Sequence, residues 1–224
     1  MNSPIDFVQI NLKKSFIATV ELNKTVKNLD NYIILASETY NFKGKVRSSP
    51  PKSNIISSDN GRAAIISSPD LKLIKLEKLM SRDCAVGLLQ TGKEKVLIAS
   101  IYLDITLSTV QTWLTDLVDF ATNKGYPLLL GMDSNAHSVL YGHETNQRGE
   151  ELEEFIINNY FYVENTGLTP TFEARRTNGQ VASIIDVTLS RGLRNSVSNW
   201  RVDTSFNGSD HNTILFQYLS LIHI

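Results

Sequence analysis

The sequence predicts an α/β protein in which two β-sheets pack together with helices outside, and three observations carry that prediction. Short apolar runs bounded by turn residues recur along the chain, as strands require. Segments with helical period fall between some of them. Four strand-like runs, over 62–68, 71–76, 84–90 and 95–103, follow one another without a helix, which is typical of an antiparallel or mixed sheet. At 224 residues and 42% hydrophobic composition, the chain can bury the core of one such domain, and no repeat or low-complexity linker divides it.

The elements follow in order. Ile5–Asn11 reads as a first strand. Residues 16–29, with Ile17, Ala18, Val20, Leu22 and Val26, read as a helix leading into a buried strand over 32–36. The stretch 43–61, rich in Ser, Pro, Asn and Lys, lacks apolar periodicity and reads as a surface loop. After the four-strand run, a helix is expected from Ser108, where Ser108 and Gln111 form a capping-box pair and Val110, Trp113, Leu114, Leu117, Val118 and Ala121 share one face. Gly125 stops it. A buried strand over 127–132, a helix over 148–159 and strands over 171–172, 182–190, 198–202 and 213–218 complete the chain.

Composition excludes several classes. A net charge of −1 rules out a broadly basic nucleic-acid coat, so any contact with nucleic acid must be local. The one cysteine, Cys84, can form neither an internal disulfide nor a structural zinc set, which fits a reducing compartment. No apolar run suits a signal peptide or a membrane span, so a soluble intracellular protein with no membrane partner is expected.

Polar residues suited to phosphodiester cleavage stand at the ends of the apolar runs, where a strand delivers its side chain to the rim of a sheet. Asn11 ends the first strand, Glu38 follows the second, Tyr102 closes the fourth of the middle group, and Asp133 and Asn135 follow the 128–132 run. Asp186 lies in the 185–189 run, and Asp210 with His211 precede the last strand. A phosphodiester is anionic, so a hard cation on oxygen ligands must neutralise it; magnesium commonly uses one or two carboxylates plus waters, which Glu38 with Asn11 can supply. Asp133 can orient and deprotonate the attacking water. His211 and Tyr102 can donate hydrogen bonds to the phosphoryl oxygens, and Asp186 can fix the imidazole and keep it cationic.

The segments Val8-Gln9-Ile10-Asn11, Ala36-Ser37-Glu38, Gly131-Met132-Asp133-Ser134-Asn135-Ala136-His137-Ser138, Ile185-Asp186-Val187-Thr188-Leu189 and Ser209-Asp210-His211 occur in the order of the exonuclease, endonuclease and phosphatase superfamily. Together with Arg148-Gly149-Glu150-Glu151 and Pro170-Thr171-Phe172, they make the chain resemble the amino-terminal endonuclease of non-LTR retrotransposons, especially arthropod elements that insert at ribosomal or telomeric repeats. The resemblance spans nearly the whole chain.

It implies a four-layered α/β sandwich, DNase I-like, of two packed mixed β-sheets flanked by helices. It also implies a nuclease that nicks one strand of double-stranded DNA with magnesium, or manganese in its place, leaving a 3′-hydroxyl that primes reverse transcription. Residue by residue, it gives Asn11, Glu38 and Asp210 to the metal side, Tyr102 to phosphate contact and Asp133 to water activation. Asn135 becomes the phosphate-binding neighbour, Asp186 the partner of His211, His211 the phosphate-binding histidine and Thr171 a substrate-side position. Ser37 stands where many relatives carry glutamine, which leaves the role of that neighbour open. The resemblance further implies a reverse-transcriptase domain as partner in a larger protein from which this single endonuclease domain is excised or a fragment. It implies synthesis in the cytoplasm and work on chromosomal DNA in the nucleus.

Residues 172–184 read as a hairpin with Arg175, Arg176 and Asn178-Gly179 at its tip, and Asn-Gly favours a type I′ turn. In look-alike enzymes this loop flanks the DNA groove, so Arg175, Arg176 and Asn178 are candidate DNA contacts. Lys43, Lys45 and Arg47 make a second local basic cluster. Plainer roles suit other residues: His137 and His143 flank the site, Cys84 is a small core residue, and Trp113 belongs to a helix face. Two other functions compete with the nuclease: a phosphoesterase of the same fold acting on a non-DNA phosphoester, and a catalytically silent DNA-binding relic.

Overall fold

The computed structural model describes residues 4–92, 94–177 and 179–219. Chain order runs β1 (Ile5–Asn11), α1 (Phe16–Val26), β2 (Tyr32–Ser37), β3 (Asn41–Phe42), β4 (Lys45–Val46), β5 (Asn54–Ser57), β6 (Ala63–Ser67), β7 (Lys72–Lys75), β8 (Cys84–Thr91) and β9 (Glu94–Tyr102). It continues with α2 (Thr112–Lys124), β10 (Leu128–Asp133), α3 (Gln147–Asn158), β11 (Tyr162–Val163), β12 (Phe172–Arg176), β13 (Gly179–Ser183), β14 (Asp186–Arg191), β15 (Val197–Asp203) and β16 (Thr213–Tyr218).

Two six-stranded sheets form, in the orders β15-β16-β1-β2-β6-β5 and β11-β14-β10-β9-β8-β7. Each holds one parallel pair, β1 with β2 and β9 with β10, while the other neighbours are antiparallel. A helix bridges each parallel pair, because parallel strands need a long crossover: α1 for the first and α2 for the second. The four consecutive strand-like runs do not share a sheet: the first, β6, pairs with β2 and β5 in the first sheet, and the other three, β7, β8 and β9, are antiparallel neighbours in the second.

Three apolar clusters define four layers. Ala18, Leu22 and Val26 of α1 cover Val8, Ile10, Ile34 and Ala64 on the outer face of the first sheet. Phe7, Ile33, Leu35, Ile65, Ile98, Leu129 and Phe216 fill the space between the sheets. Leu114, Leu117 and Ala121 of α2, with Leu152, Phe155 and Ile156 of α3, cover the outer face of the second. The central strands, buried on both faces, are therefore continuous apolar runs rather than alternating ones. Phe7 stacks on Phe216 with ring centroids 4.9 Å apart, and each such fully buried side chain contributes about 1.5–3 kcal/mol.

Polar ties cross the same interface. The Gln9 amide donates to the carbonyls of Met132 and Val187 and accepts from the Thr188 hydroxyl. A Cβ at Gly131 would meet Leu35 at 2.6 Å, so this glycine permits the close approach of the two sheets.

Several expected boundaries shift. The helix expected from Ser108 starts at Thr112, because the Gln111 amide turns back onto the Ser108 carbonyl and makes no cap for the helix. The helix expected over 16–29 ends at Val26. The stretch read as a loop over 43–61 contains β4 and the edge strand β5, in which only Ile56 is buried. The single strand expected over 182–190 is broken at Ile184 and Ile185 into β13 and β14. Cys84 is fully buried, and burial pushes its thiol far up, so it is an inert core residue. Trp113 packs against the α2 side of the core as expected. Among the described residues no helix is long and apolar enough to cross a membrane.

Candidate active site

Asn11, Tyr102 and Asp133 are the last residues of β1, β9 and β10, and Glu38 follows the last residue of β2. Both parallel pairs thus deliver polar side chains from their carboxyl ends. In register, Asp133 lies between Tyr102 on β9 and Asp186 on β14. Asn11 reaches across the sheet interface and donates from Nδ2 to Asp133 Oδ2 at 2.7 Å, joining the two ends. On the loop before β16, His211 donates from Nδ1 to Asp186 Oδ2 at 2.9 Å and holds Nε2 3.9 Å from Asp133 Oδ2. Asn11, Asp133, Asp186 and His211 are all buried.

Burial dominates the electrostatics here. It pushes the Asp133 carboxyl well above the usual carboxylate range, and the neighbouring Asp186 charge adds to the effect. Burial opposes charge on His211 too. There the charge and hydrogen bond of Asp186, helped by Asp133 and Asp210, win and raise the imidazole above its ordinary value. The Tyr102 phenol is raised by burial and, to a lesser degree, by the charges of Glu38 and Asp133.

Glu38 and Asp210 sit nearer the solvent, each side chain about one-fifth exposed. Glu38 takes a left-handed backbone, φ 45°, held by its N–H on the Arg62 carbonyl and by the Lys14 N–H on its own carbonyl, each at 2.7 Å. Asn135 is also left-handed, φ 47°. Such non-glycine conformations cost about 1–3 kcal/mol each and gather at functional sites. The Asn135 amide donates to the Leu103 carbonyl, leaving one further N–H for a ligand.

The donor set fits a hard divalent cation. Glu38 and Asp210 offer carboxylates, and Asn11 Oδ1, which accepts from the Lys13 N–H, keeps a second lone pair. Asp133 Oδ1 is buried without a hydrogen-bond partner, an arrangement that asks for a cation, a proton or a bound water. Asp133, Asp186 and His211 also offer one ligand atom each within 4.8 Å, so this buried group can hold a metal ion. Their hydrogen bonds describe a proton-handling set, however, and the oxygen-only Glu38, Asp210 and Asn11 side suits a hard cation better.

Of the candidate substrate residues, Thr171 needs correcting. It was expected on the substrate side but is fully buried, where its hydroxyl accepts from the N–H groups of Ile185 and Asp186, each at 3.0 Å. It positions Asp186 from beneath. The hairpin forms as β12 and β13, with Arg175 exposed. Asn178 and the side chain of Arg176 lie outside the described residues, and with Asn178 the expected turn type. The hairpin root is tied to the site: Phe172 lies edge-on to His211, ring centroids 5.0 Å apart, and the Glu173 N–H donates to the Asp210 carbonyl at 2.7 Å. His143 is exposed and His137 pairs with Glu144 at the surface. Lys43, Lys45 and Arg47 are exposed on the β3–β4 hairpin.

Four supporting residues escaped the sequence reading. Arg148 donates to the carbonyls of Leu103, Leu107, Ser134 and Asn135, clamping the loops after β9 and β10. Arg62 lies 4.4 Å over the Tyr102 ring and pairs with Asp83 and Asp104. Lys13 and Lys14 reach Asp210 and Glu38. Only Arg148 carried a signal, as part of the Arg148-Gly149 motif.

Oxygen donors on the first sheet and a buried carboxylate–imidazole set drawn to Asp133 on the second are the groups phosphoester hydrolysis needs, and the molecule falls in the DNase I-like class of nucleases and phosphatases. A family model described as endonuclease-reverse transcriptase matches residues 96–215, more than half of the chain, and the chain belongs to that family. Among solved structures, the endonuclease domain of TRAS1, a telomere-specific non-LTR retrotransposon, superposes with a TM-score of 0.84 at 26% identity, covering 96% of this chain and 98% of that one. The AP endonuclease LMAP from Leishmania major gives 0.71 at 10% identity, over 97% and 88% of the two chains. A mannosyl-6-phosphatase from Bacteroides thetaiotaomicron gives 0.57 at 12% identity, over 96% and 100%, a likeness of fold alone. No curated protein matches the chain in sequence.

Proposed function

We propose that this chain is a magnesium-dependent endonuclease that nicks one strand of duplex DNA and leaves a 3′-hydroxyl. The observation that carries the reading is the convergence of two hydrogen-bonded pairs, Asn11 with Asp133 and His211 with Asp186, set so that His211 Nε2 stands 3.9 Å from Asp133 Oδ2, with Asp133 Oδ1 unpartnered at the centre. The likeness to the TRAS1 domain over nearly its whole length supports DNA as substrate.

In this reading Glu38, Asp210 and Asn11 Oδ1 hold the cation. Magnesium, when bound, neutralises the scissile phosphate and polarises its oxygens. Asp133 accepts a proton from the attacking water through Oδ1, and its raised affinity for protons makes it a competent base near neutral pH. As the water oxygen bonds to phosphorus, the bond to the 3′ oxygen breaks and that oxygen takes up a proton, leaving a 3′-hydroxyl and a 5′-phosphate. His211, kept cationic by Asp186, and the Tyr102 hydroxyl donate to the phosphoryl oxygens as charge builds. The Asn11 amide holds Asp133 in place. The 3′-hydroxyl primes a reverse-transcriptase domain of a larger protein, and the work takes place on nuclear DNA.

Nicking of supercoiled plasmid in magnesium, with Glu38→Ala, Asp133→Asn and His211→Ala alongside, tests the reading. Each variant is expected to lose at least about a hundredfold in rate. Undiminished nicking by the variants, or turnover of soluble phosphomonoesters without any nicking, overturns it.

A further inference from the structure

The turn between β1 and α1 has a construction that water activation does not explain. Leu12 N–H donates to the Ser37 carbonyl, Lys13 N–H to Asn11 Oδ1, Lys14 N–H to the Glu38 carbonyl and Ser15 N–H to the Leu12 carbonyl, at 2.7–2.9 Å. These four bonds fix Lys13 and Lys14 in consecutive left-handed conformations, φ 49° and 52°. Glycine or asparagine suits such positions, and a long side chain there is strained. The turn presents a pair of ammonium groups to the rim of the site. Lys13 Nζ lies 2.6 Å from Asp210 Oδ2, and Lys14 Nζ lies 3.5 Å from Glu38 Oε1.

The two lysines therefore stand one on each of the carboxylates assigned to the cation. Their side chains are about 60% exposed against about 20% for the carboxylates, so they form the outer rim of the site. A divalent ion held by Glu38 and Asp210 would meet two like charges already in contact with those carboxylates, and repulsion would drive the ammonium groups outward. On a chain of net charge −1 whose site gathers Glu38, Asp133, Asp186 and Asp210, a polyanion needs local cations at that rim.

We propose that Lys13 and Lys14 are a phosphate-binding clamp for the DNA strand on either side of the scissile phosphate, exchanged between Asp210 and Glu38 and the substrate. Cation binding at the carboxylates releases the ammonium groups to backbone phosphates, so metal and DNA each raise the affinity of the other. The clamp rests on the nuclease reading of the same site. Exposed lysines on flexible stems make such an exchange without moving the backbone.

The test uses His211→Ala as a cleavage-deficient parent and adds K13M/K14M, which keeps the apolar stems. Titration calorimetry with Mn2+ alone, without DNA, is expected to show the triple variant binding the ion several-fold tighter than the parent. Fluorescence anisotropy with a labelled duplex in Mg2+ is expected to show about tenfold weaker binding, and a salt dependence shallower by about 1 to 2 in log–log slope. K13R/K14R is expected to restore duplex binding. Unchanged ion affinity with unchanged salt slope overturns the clamp, as does weaker ion binding in the methionine variant. A wild-type protein that neither binds nor nicks duplex sinks the nuclease reading and the clamp together, whereas equal duplex binding by parent and variant sinks the clamp alone.

Discussion

His211 donates from Nδ1 to Asp186 Oδ2 across 2.9 Å, with both side chains buried. The bond orients the ring so that Nε2 faces Asp133, and it stabilises the cationic form that burial alone would suppress. One carboxylate thereby sets both the aim and the charge of the imidazole.

Replacing Asp186 with asparagine keeps the shape and removes the charge. Nicking is expected to fall by about two to four orders of magnitude. Activity that needs cationic His211 is lost as pH rises through its raised value; without the Asp186 charge that value drops, so the alkaline limb of the rate profile moves to lower pH. A fall in rate with no movement of that limb counts against the assigned role.

Thr171→Val leaves two buried N–H groups, of Ile185 and Asp186, without an acceptor. The expected cost is about 1–3 kcal/mol for each group, read as a lowered melting temperature, together with slower nicking because Asp186 loses its support. Thr171→Ser, which keeps the oxygen, is expected to retain most of both.

Gly149 lies in the first turn of α3, where a Cβ would stand 1.7 Å from the His137 carbonyl oxygen. Backbone cannot yield as a side-chain tip can, so Gly149→Ala is expected to destabilise the protein by about 3 kcal/mol or more. Denaturant melts measure it. A mild effect would show that α3 and the loop after β10 are not locked together.

Asp104 accepts from the Thr106 N–H and hydroxyl and pairs with Arg62 and Arg82, and these contacts hold its carboxyl well below the usual range. A depressed carboxylate stabilises the fold above its unfolded value, near pH 3.9, and that stability is lost as pH falls toward the folded value. The gap in denaturation midpoint between the wild type and Asp104→Asn is thus expected to be widest near neutrality and to shrink below about pH 4. A gap independent of pH would rule out this electrostatic contribution.

The strands of the two centres were legible because burial on both faces leaves apolar runs such as those of β1, β2 and β10. The edges were not. β5 buries Ile56 alone in a polar stretch, and β11 has two residues. The break before β14 comes from the Thr171 hydroxyl capturing two N–H groups from 14 and 15 residues away, which no local pattern announces. At the site, residue type and position near the end of a strand or just before one singled out Asn11, Glu38, Asp133, Asp186 and His211, of which the structure brings Asn11, Asp133, Asp186 and His211 into one buried group. Thr171 was misread because a hydroxyl beside a motif looks the same whether it faces a ligand or the backbone. Arg148, Arg62 and the lysine pair act on carbonyls or on charges distant in sequence, so their meaning appears only once the loops are in place.

Because Asn11 and Glu38 are delivered by one sheet and Tyr102, Asp133 and Asp186 by the other, the site spans two separately supported platforms. Gly131 and Gln9 act as its gauge block. A methyl group added at Gly131 would meet the Leu35 side chain at 2.6 Å and that of Gln9 at 2.9 Å, so the spacing beneath the site is set partly by a residue that carries no side chain at all.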